Sequence, residues 1–208
     1  MELREAIAQI AEIRQQMARG HLFRGYRAAT TAFSGFMALA TAAAQRLLLP
    51  DPQHDMRGFV QLWVTAAILS VAAVPVEMIV RVRRSPSHLQ KQLTLLAVEQ
   101  FAPSIVAGAL LTYALCAYAP AQMWMLPALW MILFALGMFA SSRLLPRALF
   151  GVAAFYLVAG IIAFALSAPH APASQVWACS PWLMGAVFGT GQLASALILY
   201  LKLERGHD

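Results

Sequence analysis

The sequence has very little charge. Only 12% of its 208 residues are Asp, Glu, Lys or Arg, whereas 61% are hydrophobic. A soluble globular domain carries about 25% charged residues, which solvate its surface. In a bilayer, lipid replaces water as the outer solvent, so an apolar surface is stable there. The scarcity of charge therefore predicts one membrane domain and leaves no room for a separate soluble domain.

Cysteine is equally scarce, with two residues, Cys116 and Cys179, and no CxxC pair. This excludes the usual cysteine-rich zinc and iron–sulfur patterns. Both cysteines are predicted near the outer face of the membrane, where an oxidising compartment permits disulfide bonds. The pair is therefore a candidate disulfide, and the alternative is two small packed side chains.

Prolines and charges divide the apolar part of the chain into segments of spanning length. A span needs about 20 apolar residues. The uncharged stretch from Gln100 to Ser142 is too long for one span, and Pro120 with Gln122 breaks it in two. The sequence therefore predicts an all-α, polytopic membrane helix bundle with six transmembrane helices. Their expected ranges are about 28–49, 58–80, 85–118, 123–141, 148–167 and 181–201.

The first 27 residues form an amphipathic cytoplasmic segment. Apolar residues recur there at helical spacing, with charged residues between them: Leu3, Ile7, Ile10, Ile13 and Met17. Such a helix is expected to lie on the membrane surface, or against the inner ends of the spans or a second copy. The alternative is a binding site for a separate partner. The spans then occupy 28–202, and 203–208 is a short cytoplasmic tail.

Basic residues set the predicted topology. Of the 15 lysines and arginines, only Arg46 and Arg57 fall outside when the N-terminus is cytoplasmic. This is a strong positive-inside bias, and it favours six spans with both termini in the cytoplasm. Because the basic residues flank apolar runs, the net charge of +6 indicates contact with the lipid bilayer. No basic patch with interleaved aromatics is present, so nucleic acid is not a predicted partner.

Catalytic and cofactor-binding patterns are missing. The five histidines fall at span ends or between spans, whereas a membrane haem held by paired histidines needs them within the spans. Asp51, His54 and Asp55 are interpreted as a solvated turn, so no metal site is predicted. No cofactor is predicted either, and the chain is interpreted as a non-enzyme.

The most informative polar residue is Glu99, because ionisable groups within a bilayer are costly and often functional. It shares a helix face with His88, Gln92 and Pro103. Pro103 leaves the Glu99 carbonyl without its helical partner. A proton or cation site in a polar cavity is one interpretation, and a proline kink with a paired carboxylate is the other. The full candidate set is Glu99, Gln92, His88, Glu77 and Gln192.

The ends of the chain resemble a group of small bacterial multi-span inner-membrane proteins. The residues that carry this resemblance are EIRQQMARG (Glu12 to Gly20), the glycine-bearing span that follows, and GTGQLASALILYLKLER (Gly189 to Arg205). The resemblance implies a bacterial inner-membrane location and the topology above. It implies no activity and no site residue.

Three functions compete on this evidence. The first is a non-enzymatic inner-membrane protein that acts as a partner or regulator of other proteins, or that forms a homo-oligomer. The second is a small transporter or channel with its site at Glu99. The third, an intramembrane enzyme, has little support. A polar cavity lined by Glu99 would favour transport, whereas a solid core with an exposed apolar groove would favour a partner.

Overall fold

The computed structural model describes residues 28–49, 51–52, 54–82, 88–143, 146–168, 177 and 179–204. These residues contain six long helices and no strand, which confirms the all-α helix bundle. The amphipathic segment 1–27 and the tail beyond Glu204 lie outside the described residues. The helices are α1 (Ala28–Leu48), α2 (Met56–Val82), α3 (His88–Tyr118), α4 (Leu126–Ala140), α5 (Leu149–Ser167) and α6 (Pro181–Leu199).

Prolines mark the helix boundaries where the sequence predicted them. Helix α3 ends at Tyr118, and a 3₁₀ turn, Pro120–Met125, leads into α4. Pro181 occupies the first turn of α6, where its missing N–H has no helical partner to lose. Pro103 lies inside α3, which nevertheless runs for 31 residues.

Helix α1 differs in composition from the other five. Those five are long and apolar enough to cross a membrane, α4 together with the 3₁₀ turn before it (Pro120–Ala140), whereas α1, with its threonines, Gln45 and Arg46, is not among them. Helix α1 is nevertheless packed into the bundle through close contacts with α6. Gly35 packs against Gly189, and Ala42 packs against Gly185. These contacts make α1 antiparallel to α6 and put it at the same depth.

The six helices form an incomplete ring in the order α2, α1, α6, α5, α4, α3. The α1–α6 interface is the most extensive, followed by α4–α5. Helix α3 packs mainly on α4, where Trp130 Nε1 donates to Thr112 Oγ1 at 2.9 Å. The described parts of α2 and α3 make few close contacts with each other. The ring is therefore open between these two helices.

The buried face of α1 is made mostly of small residues, and large apolar residues cover the outside of the ring. In α1 six of the seven buried residues follow alternating spacings of three and four, and Thr41 lies beside them: Ala28, Thr31, Gly35, Ala38, Ala42 and Gln45. Large side chains point outward, including Phe36, Ile68, Leu110, Ile161 and Ile162. A soluble protein would not expose so many of them in contiguous bands. Close packing through small residues is the usual arrangement in a membrane bundle.

The core has two parts along the bundle. The proximal end is where α1 begins and α6 finishes, and the distal end is where α1 leads into α2. The distal core contains Phe59, Trp63, Leu126 and Met184 among others. The proximal core is centred on Tyr156, whose ring centroid lies 4.9 Å from that of Phe134 and 5.3 Å from that of Phe188.

Candidate functional site

Glu99 lies on the exposed side of α3, and Pro103 shares that side. Helix α3 packs on α4 through its opposite face, which carries Phe101 and Thr112. The described helices do not enclose the Glu99 carboxylate, and its role as a proton or cation site stays a prediction. Because α3 is almost wholly apolar, its sequence does not show which of its faces packs against other helices.

Of the other members of the predicted polar set, only Gln192 has a described side chain, and it does not lie near Glu99. Gln192 is half-buried on α6 beside Gly35 of α1, and α6 is not a neighbour of α3 in the ring. Glu77 belongs to α2, and His88 and Gln92 belong to α3. The side chains of these last three residues lie outside the described part of the structure, so their role as site residues stays a prediction.

The two cysteines do not form the candidate disulfide; both are free thiols. The Cys179 thiol is buried and lies 3.0 Å from the Met56 sulfur. Burial, and secondarily the negative charge of Asp51, raises the pKa of Cys179 to about 11. Cys116 is half-buried on α3, at the open side of the ring.

A buried hydrogen-bond network that the sequence analysis missed holds the distal end together. Gln45 is 1% exposed. Its side-chain oxygen accepts from Trp63 Nε1 at 2.8 Å, and its nitrogen donates to the Cys179 carbonyl at 2.7 Å. One amide thus joins α1, α2 and the segment before α6. The spacing of three and four residues between the small residues of α1 continues to Gln45, and this spacing could have indicated that Gln45 is buried.

The polar turn before α2 is solvated, as predicted. His54 Nδ1 lies 2.7 Å from an Asp51 carboxylate oxygen, and both side chains are exposed. Asp55 caps α2, since its carboxylate accepts from the Gly58 amide at 2.9 Å. Among the described residues, no three His, Cys, Asp or Glu side chains converge as metal ligands would. The turn's main effect is to begin α2.

A lateral groove opens between the distal ends of α2 and α3. It encloses about 270 Å³ and is lined by Arg57, Val60, Gln61, Tyr113, Cys116 and Ala117. Arg57 and Gln61 are exposed and stand one helical turn apart on the same face of α2. Along α3, no residue between Glu99 and Tyr118 is fully buried. The groove is therefore accessible from the side of the bundle.

The polar groups of the groove have no partners in the described part of the chain. Arg57 makes no ion pair there, because the Asp51 carboxylate contacts His54 and the Asp55 carboxylate caps α2. The Gln61 carbonyl accepts from the Thr65 hydroxyl, but its side-chain amide has no such contact. The groove thus presents a guanidinium and an amide to an outside molecule. No nucleophile–base pair lines it, so the arrangement is suited to binding.

No protein-family model, curated protein or solved structure matches the chain. The function is therefore inferred from the geometry of the chain itself. The lateral groove offers unpartnered polar groups beside an accessible apolar surface.

Proposed function

We propose that this chain is a non-enzymatic integral protein of the bacterial inner membrane that acts as a partner or regulator of another membrane component. It binds that component in the lateral groove between α2 and α3. The groove itself is the observation that carries this proposal. It is open to the side and combines apolar walls with a guanidinium and an amide that the described chain leaves unpartnered.

The basic residues support an orientation with the proximal end in the cytoplasm. Arg46 ends α1 and Arg57 begins α2, so both lie at the distal end. The remaining lysines and arginines precede α1, end or follow α2, begin α3, or follow α4 and α6. The positive-inside rule therefore favours a cytoplasmic proximal end. Since α1 and α6 are antiparallel neighbours, both termini then face the cytoplasm.

The alternative, a small transporter with a proton or cation site at Glu99, has less support. Glu99 is exposed on α3, on the helix face that carries Tyr113 and Ala117 of the groove, and its carboxylate makes no ion pair with a described residue. The ring interior is also tightly filled near its centre, because a Cβ atom on Gly191 would lie only 2.6 Å from Cε2 of Tyr156. A solid core with an open groove favours a binding role.

Photocrosslinking in intact membranes tests the proposal. A benzophenone amino acid replaces Ala117 in the groove or, as the matched control, Ile161 on the exposed face of α5. If the groove binds a specific component, the probe at 117 gives one discrete adduct, either a protein band or a defined lipid mass. The probe at 161 then gives only diffuse labelling by bulk lipid. The same diffuse labelling from both positions would contradict the proposal.

A further inference from the structure

The polar groups along the groove follow a definite order with depth. Arg57 lies in the first turn of α2 at the distal membrane boundary. Gln61 stands one turn further into the membrane, about 6 Å deeper at 1.5 Å per residue. The walls around and beyond these two residues are mainly apolar. The order is therefore cation, then neutral amide, then apolar surface.

The cation at the boundary matches an anion in the headgroup layer. Arginine binds phosphate through paired N–H donors. The position is also favourable for an anion because the N-terminus of α2 directs the positive end of its helix dipole toward this boundary. The nearby carboxylates do not pair directly with Arg57: Asp51 contacts His54 and Asp55 accepts from Gly58.

The amide of Gln61 needs a polar partner at a depth where water is scarce. An unpartnered amide in an apolar environment is unstable by several kcal/mol, and the described chain supplies no partner for this side chain. In a glycerophospholipid the ester carbonyls lie just inside the phosphate. They are acceptors at the depth where Gln61 offers its N–H groups.

The apolar part of the groove suits an acyl chain. Val60 is buried at its base, while Tyr113 and Ala117 form the opposite wall. Toward the membrane centre, α2 and α3 continue with exposed Ile68 and Leu110. An apolar surface therefore continues from the groove along both helices. A partner helix would not require this order of cation, amide and apolar wall, whereas a phospholipid contains its complement.

We infer that the distal end of the groove binds a glycerophospholipid of the outer leaflet. Its phosphate contacts Arg57, an ester carbonyl contacts Gln61, and one acyl chain lies between α2 and α3. This inference rests on the proposed function, because it takes the groove as the binding surface. It names the component bound there.

Native mass spectrometry of the full chain in detergent tests the inference with three additives. Phosphatidylglycerol carries phosphate and acyl chains, diacylglycerol carries the chains alone, and inorganic phosphate lacks the chains. The expected result is one bound phosphatidylglycerol, at least about tenfold weaker binding of diacylglycerol, and no displacement of the lipid by inorganic phosphate. The tenfold value follows from the worth of a charge-assisted hydrogen bond.

Two substitutions locate the bound lipid. Arg57→Gln should weaken phosphatidylglycerol binding about tenfold or more. Arg46→Gln is the matched control, because Arg46 is also exposed at the distal end but does not line the groove, and it should leave binding unchanged. Equal binding by the wild type and Arg57→Gln would overturn the inference, as would equal binding of diacylglycerol and phosphatidylglycerol.

The crosslinking and lipid experiments fail in different ways. A discrete protein adduct at position 117, together with lipid binding that Arg57→Gln does not weaken, would support the proposed function and overturn the lipid inference. A probe at 117 that labels no differently from one at 161 would overturn both. A discrete adduct with the mass of a phospholipid at 117 would support both.

Discussion

The four central helices of the ring (α1, α6, α5 and α4) and the two edge helices (α2 and α3) differ in how closely they pack. Helices α1, α6, α5 and α4 meet through small residues, as where Gly185 lies against Ala42 and Gly160 lies against Ile132. Helices α2 and α3 each pack mainly on one side, and a groove separates their distal ends. Close packing makes the centre a solid support, whereas incomplete packing leaves the edge accessible for binding.

Two glutamines in the distal half of the bundle show the same difference between a central and an edge helix. Gln45 is buried and bonded on both sides of its amide, to Trp63 and to the Cys179 carbonyl. Gln61 is exposed, and its amide has no partner among the described residues. An amide inside a membrane bundle must find a partner. For Gln45, on a central helix, the chain itself supplies the partner. For Gln61, on an edge helix, we propose that a phospholipid does.

The largest expected effect comes from filling the close contact at the centre. Gly191→Ala should lower the free energy of unfolding by about 1–3 kcal/mol, because the added methyl group meets the buried ring of Tyr156. Gly151→Ala is the control. Nothing lies within 4 Å of the added atom at position 151, so helix propensity alone should act and stability should rise by at most about 1 kcal/mol. Equal effects of the two substitutions in a detergent unfolding assay would refute the contrast.

The paired glutamines should give an intermediate effect. Gln45→Leu removes the acceptor of Trp63 and the donor to Cys179, so it should destabilise the fold by about 1–2 kcal/mol. Gln61→Leu removes no contact with a described side chain, so it should change stability little while it weakens lipid binding. Both are measured by unfolding in detergent. A loss of stability at position 61 that matches the loss at 45 would remove the distinction between centre and edge.

The two cysteines should show the smallest effect in the comparison of the buried core with the groove. A maleimide at pH 7 should modify Cys116 at the groove well before Cys179, which is buried at 2% exposure. Folding raises the pKa of Cys179 from 9.0 to about 11, so the folded state favours the neutral thiol. The resulting stability is fully present below pH 9 and is lost as the pH rises toward 11. Cys179→Ala should abolish this decline, and an unchanged decline would assign it to another group.

The sequence predicted the helices well because spans are local objects. The third span was expected to end at 118, and α3 ends at Tyr118. The fifth was expected over 148–167, and α5 covers Leu149–Ser167. Apolar length and proline positions are properties of consecutive residues, so they can be read along the chain. The break at Pro120 needed no knowledge of neighbouring helices.

The candidate site was harder to predict, because in a membrane bundle the packed face and the lipid face are both apolar. The face of α3 that carries Glu99 is exposed, and the sequence did not show which face of this helix would pack. Gln45 was passed over because it lies next to Arg46 at the end of a span. The groove depends on Arg57 and Gln61 of α2 meeting Tyr113 of α3, and their distance in sequence gave no sign of this contact.

Composition and local order thus determined that the chain is a bundle of membrane helices and where most of those helices begin and end. The tertiary structure decided that the first predicted span, α1, packs antiparallel to α6 through small residues. It also decided the ring order and the opening between α2 and α3. The physical reason is that apolarity places a helix in lipid, whereas its neighbours are chosen by the shapes of surfaces that distant parts of the chain bring together.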